Sequence, residues 1–117
     1  MEEDVKAATL SPGELKIEEF PYPELKEDGM IVKMEMSGLC GSDIHMYERG
    51  FSSRMFTLDF PIVPGHENVG VIEEMGEKAQ DSMHLISGEA LEVGDRVTWV
   101  PVLACGQCYY CSHVYLP

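Results

Sequence analysis

The sequence predicts a mainly β domain, a barrel or partly open barrel with few helices. Two observations carry this. Short segments alternate apolar and polar residues, as half-buried strands do. Gly and Pro turns punctuate them at short intervals, with no internal repeat and no low-complexity tract.

Residues 5–10 read as a first strand, ended by the turn signal Ser11, Pro12, Gly13. Residues 15–20 hairpin back on it. Pro21, Pro23 and the pair Asp28, Gly29 make 21–29 an irregular connector. Residues 30–39 form the strand that delivers Cys40, because Ile31 to Met36 alternate apolar and charged side chains. Ser42 is placed to cap a short helix running through Met46, Tyr47 and Glu48. Residues 50–60 form a loop, and Pro61 to Gly65 a rigid extended approach to His66. Residues 68–76 read as a strand with Gly70 at a close-packed position. Residues 78–92 show little apolar pattern and read as an insertion loop or hairpin. A turn at 91–95 leads into a last strand over 96–100, which Pro101 ends.

At 117 residues the chain has the length of one domain, 1–117, and buries somewhat under about 70% of its unfolded surface. Hydrophobic residues make up 44% and charged ones 25%, as in soluble globular proteins. The net charge is −13, which disfavours nucleic acid and anionic membrane surfaces as partners. No apolar run is long enough to span a bilayer. Met1, Glu2, Glu3 and Asp4 do not begin a secretory signal, so the expected location is cytoplasmic. Residues 97–117 contain no Lys, Arg, Asp or Glu, so this tail is expected to be buried or to continue into further chain.

Four cysteines are present. Cys105, Cys108 and Cys111 stand at three-residue intervals, the spacing of thiolates around a structural zinc. Reduced thiols without an ion and iron–sulfur ligation share this spacing. His113 follows too closely to be a good fourth ligand. Cys40 and His66, flanked by Gly38, Gly41 and Gly65, fit a catalytic zinc with an open position, with a third ligand from Glu67 or from sequence elsewhere. Alone, Cys40 is also a small buried hydrophobe and His66 a turn histidine. Ser42 and Asp43 suit a helix cap and first-turn carboxylate. In the sharper reading Asp43 orients the ligating His66, while Ser42 and His45 relay a proton to solvent. His45 is otherwise an exposed helix residue.

The motifs Gly38-Leu39-Cys40-Gly41-Ser42-Asp43-Ile44-His45, Gly65-His66-Glu67-Asn68-Val69-Gly70, Gly94-Asp95-Arg96-Val97 and the Cys105/Cys108/Cys111 run occur in this order. Together they resemble the N-terminal, GroES-like catalytic domain of zinc-dependent medium-chain alcohol dehydrogenases, over essentially the whole chain. The Cys-Gly-Ser-Asp-x-His-x-Tyr variant is also similar to the polyol and threonine dehydrogenase branches. The resemblance implies a GroES-like, partly open barrel with a short helix after the first zinc-ligand motif and a cysteine-rich structural-zinc lobe. It implies catalytic-zinc ligation by Cys40 and His66, with Glu67 as the carboxylate beside the metal. It implies Asp43 as partner of the ligating histidine, and Ser42 and His45 as a proton relay through the cofactor ribose. Cys105, Cys108 and Cys111 then hold a structural zinc. The implied partners are a small-molecule alcohol substrate, NAD or NADP, and other copies of the full-length enzyme in a homo-oligomer. No Gly-x-Gly-x-x-Gly loop is present, so the Rossmann cofactor domain is absent, and the chain is expected to be a fragment without activity of its own. The alternative is a stand-alone zinc-binding, GroES-like interaction module without catalysis.

Overall fold

The computed structural model describes residues 4–50, 58–85, 87–101, 107–109 and 113. The chain divides into two compact units. One takes Met1–Glu24 and Met36–Asn68, the other Leu25–Glu35 and Val69–Pro117.

In the first unit β1 (Val5–Ser11) and β2 (Glu14–Phe20) pair antiparallel, from Val5 opposite Phe20 to Ser11 opposite Glu14. Gly13 closes the turn at φ +78°, where a side chain would be strained. Leu10 exchanges two backbone hydrogen bonds with Ile62, at 2.8 and 3.0 Å, which ties residues 61–65 to β1. Helix α1 (Gly41–Arg49) lies against the same hairpin, with the Gly13 N–H donating to the Tyr47 carbonyl at 2.6 Å. Leu10 and Met46 are buried here, along with the polar Thr9 and Asp43. Every residue of β2 is exposed, Leu15 and Ile17 included.

The second unit is built on a three-stranded sheet ordered β3 (Met30–Ser37), β4 (Asn68–Met75), β5 (Arg96–Thr98). Strands β4 and β5 are antiparallel, with Gly70 opposite Val97. A Cβ on Gly70 would stand 2.5 Å from the Lys33 carbonyl oxygen, so only glycine lets the backbones come this close. Ile72 and Met75 of β4 and Ala79 of helix α2 (Glu77–Ser82) form the core, flanked by Met30, Val32, Met83, Leu91 and Val97.

The mainly β expectation holds, and the described strands make two sheets, neither of them closed. Four local expectations need correction. The strand before Cys40 stops at Ser37 rather than Leu39, with the Gly38 N–H just past it donating to the carbonyl of Glu67, the residue before β4. Strand β5 stops at Thr98. The stretch over 78–92 begins inside α2, which runs from Glu77 to Ser82, while the antiparallel bridge of His84 with Ala90 is the expected hairpin. Ser42 does not cap α1: Cys40 holds that position, in extended conformation, and its N–H donates to Asp43 Oδ2 at 2.9 Å.

Candidate metal centre

The first unit brings Cys40, His66 and Glu67 together. One ligand atom from each (thiol sulfur, imidazole nitrogen, carboxylate oxygen) lies within 4.8 Å of the others. Cys40 comes from the cap of α1. His66 and Glu67 come from the segment after the bridge between Ile62 and Leu10. The Gly38 N–H donates to the Glu67 carbonyl at 2.7 Å, and the Asn68 side chain to the Gly65 carbonyl at 3.2 Å, so this segment is pinned on both sides of His66.

Around this trio stand two residues of the first helical turn. Asp43 is 4% exposed, and its Oδ1 has no hydrogen-bond partner among the described residues. That oxygen lies 3.7 Å from His66 Nδ1. Ser42 Oγ lies 3.5 Å from the other ring nitrogen, Nε2. His45 is exposed one turn further along α1 and is not part of the trio.

The electrostatics are mutual. The Cys40 thiol is held below its ordinary range, first by the Ser42 backbone N–H, then by the Ser42 hydroxyl and His66. His66 is held above its ordinary range, first by its hydrogen bond with Cys40, then by the Asp43 carboxylate. A thiolate beside a carboxylate and an imidazole is a set of donors that favours a positive charge between them.

Sulfur, nitrogen and oxygen donors together suit zinc. Bond lengths of about 2.0–2.3 Å set tetrahedral donors roughly 3.5 Å apart. The trio's ligand atoms, all within 4.8 Å of one another, exceed that spacing by about 1 Å at most. The orphaned Asp43 oxygen fits the same reading, since a ligating imidazole ordinarily donates its second N–H to a carboxylate. Of the cysteine run, Cys108 is exposed, and Cys105 and Cys111 lie outside the described residues. His113 stacks on Tyr109 with ring centroids 4.7 Å apart. The placement of Ser42 against His66 was not visible in the sequence.

A family model for the alcohol dehydrogenase GroES-like domain matches residues 26–115. The chain belongs to this family. Sorbitol dehydrogenase from Bombyx mori is 33% identical to this GroES-like chain over 112 residues, which are 96% of the chain and 29% of that enzyme. A zinc-type alcohol dehydrogenase-like protein of Haemophilus influenzae is 38% identical over 113 residues, again 96% of the chain and 30% of the relative. The crystal structure of galactitol-1-phosphate dehydrogenase from Escherichia coli superposes with a TM-score of 0.73 at 32% identity, covering 92% of this chain and 28% of that one. The GroES-like chain thus spans less than a third of the length of these relatives. Among the described residues no helix is long and apolar enough to cross a membrane.

Proposed function

We propose that this chain is the metal-binding catalytic part of a zinc-dependent alcohol or polyol dehydrogenase, which moves hydride from an alcohol carbon to NAD or NADP. The observation that carries the reading is the convergence of Cys40, His66 and Glu67 within 4.8 Å. Cys40 and His66 hold the zinc and Glu67 is the carboxylate beside it. The zinc supplies a Lewis acid for the alcohol oxygen. Asp43 fixes the His66 tautomer by accepting from Nδ1, which leaves Nε2 as the ligating nitrogen.

Oxidation of an alcohol also releases a proton. Ser42, half-buried with its hydroxyl beside the metal-facing nitrogen of His66, accepts that proton as it passes its own on. His45, at i+3 on the same helix and exposed, receives the proton for transfer to solvent and contacts the cofactor. Cys105, Cys108 and Cys111 hold a structural zinc with a fourth donor from elsewhere. The substrate is a small alcohol or polyol. Reduced cysteines used as metal ligands are most at home in a reducing compartment, which supports a cytoplasmic location.

The test uses the protein in which this domain is joined to its cofactor domain. Zinc content and alcohol-dependent NAD(P) reduction are measured for the wild type, Cys40→Ser and His66→Ala. One zinc per chain and the activity should both disappear in each variant, with the second zinc retained. Undiminished turnover in either variant overturns the assignment.

A further inference from the structure

The Cys40–His66 pair hangs from a seam in which two glycines face each other's neighbours. A Cβ on Gly38 would stand 2.6 Å from Glu67 Oε2, 3.0 Å from Glu67 Cβ and 3.4 Å from its carbonyl oxygen. A Cβ on Gly65 would stand 2.6 Å from Ser37 Oγ, and φ there is +108°, which disfavours any side chain. The contacts are reciprocal: residues 37 and 38 press on residues 65–67 from both ends. Cys40 follows Gly38 by two residues, and His66 follows Gly65 directly. Gly41, the other glycine of the motif, has nothing within 4 Å of its Cβ position.

We propose that Gly38 is a positioning residue for the metal centre: the space left by its missing side chain is where the Glu67 carboxylate lies. The inference rests on the metal-site reading above and adds a cause for the geometry. The Gly38 N–H holds the Glu67 carbonyl at 2.7 Å, so the two backbones cannot part without losing that bond. With the backbones fixed, any Cβ at position 38 displaces the part of Glu67 that is free to move. That part is the carboxylate end, since the side chain is exposed and can swing outward. The result is a metal centre stripped of its third donor by a methyl group whose three nearest contacts are all with Glu67.

Cobalt(II) replaces zinc as the probe, because its ligand-field and thiolate charge-transfer bands report the donor set. The 117-residue chain is titrated with cobalt, and the spectrum of Cys40→Ser is subtracted to isolate this centre from the cysteine run. A wild type with no Cys40-dependent band refutes the metal reading itself. Given that band, Gly38→Ala should alter it and weaken cobalt binding roughly 10- to 100-fold. Glu67→Gly, which removes the carboxylate and also the Cβ 3.0 Å from the Gly38 position, should give the same altered spectrum, and adding Gly38→Ala to it should change little more. Gly41→Ala should leave the band as in the wild type. An unaltered band in Gly38→Ala overturns the proposal. So does an equal loss from Gly38→Ala with and without the Glu67 carboxylate, since the glycine then acts on the backbone alone. If Gly38→Ala does not fold, the Gly38→Ala/Glu67→Gly chain must fold and bind like Glu67→Gly, and its failure to do so counts equally against the idea.

Discussion

Asp43 uses its two oxygens unequally. Oδ2 accepts the Cys40 N–H and so closes the start of α1. Oδ1 is buried with no hydrogen-bond partner among the described residues, and lies 3.7 Å from His66 Nδ1. A buried carboxylate oxygen left unpaired is costly, and a ligating histidine that turns its N–H toward it removes the cost. Asp43→Asn tests this with little change in shape. The amide oxygen can still accept from Cys40, but the amide nitrogen then meets the imidazole N–H, donor against donor. Zinc affinity should fall roughly 10- to 100-fold while the thermal midpoint changes little. Competition against a chromophoric chelator measures the first, and an unchanged zinc affinity would show that Asp43 only caps the helix. The sequence made the ligand candidates legible because sulfur, imidazole and carboxylate are rare so close to glycines. It misled on the cap. Serine is a strong N-cap residue, yet a carboxylate at the third helical position reaches back to Cys40 and sets the cap two residues before Ser42.

At the level of single elements, strands were easier to read than helices because alternation is a local signal. Helix α2 has no such signal: only Ala79 of its six residues is buried. Its N–H groups at Lys78 and Ala79 donate to the Glu27 carbonyl, at 2.9 and 3.1 Å. That partner lies far back in the sequence, so the helix is a product of tertiary contact. Strand β4 supplies the neighbouring core residue Ile72, which is 1% exposed. Ile72→Ala should destabilise the chain by about 2–5 kcal/mol, a large part of the total for a domain of this size. Urea unfolding measures it, and a loss below about 1 kcal/mol would mean that this core is loosely packed. Strand β5 is held to β3 by charge as well. Arg96 donates to both oxygens of Glu35, at 2.7 and 3.0 Å. The guanidinium holds the Glu35 carboxyl below its ordinary range. A group with a depressed folded-state pKa stabilises fully above its unfolded value, roughly pH 4.3. That contribution is lost as the pH falls through the lower folded value. Both groups are solvated, so the effect is small. The thermal midpoints of wild type and Glu35→Gln should differ at pH 7 and converge in acid. A gap that is constant with pH would assign the difference to packing.

For the molecule as a whole, the family was legible because four motifs stand in a fixed order across nearly the entire chain, and a family match over residues 26–115 agrees. The division into two compact units was not legible, since each unit takes two separate stretches of sequence. Chemistry divides along the same lines. Cys40, His66 and Glu67, with Ser42, Asp43 and His45 nearby in sequence or space, all belong to the first unit. Hydride transfer further requires an acceptor held against the alcohol carbon, and orientation of that kind supplies much of an enzyme's rate. Dinucleotides are held by a glycine-rich turn at a helix N-terminus, and these 117 residues contain no Gly-x-Gly-x-x-Gly. The 117-residue chain, loaded with zinc and given sorbitol or other small alcohols with NAD or NADP, should therefore form no reduced cofactor above a Cys40→Ser control. A protein in which this domain is joined to a cofactor-binding domain should form it, and should lose it on Cys40→Ser. Cofactor reduction by the 117 residues alone would show that they hold the hydride acceptor themselves. Zinc binding without turnover in that joined protein would instead make this domain a metal-stabilised binding module.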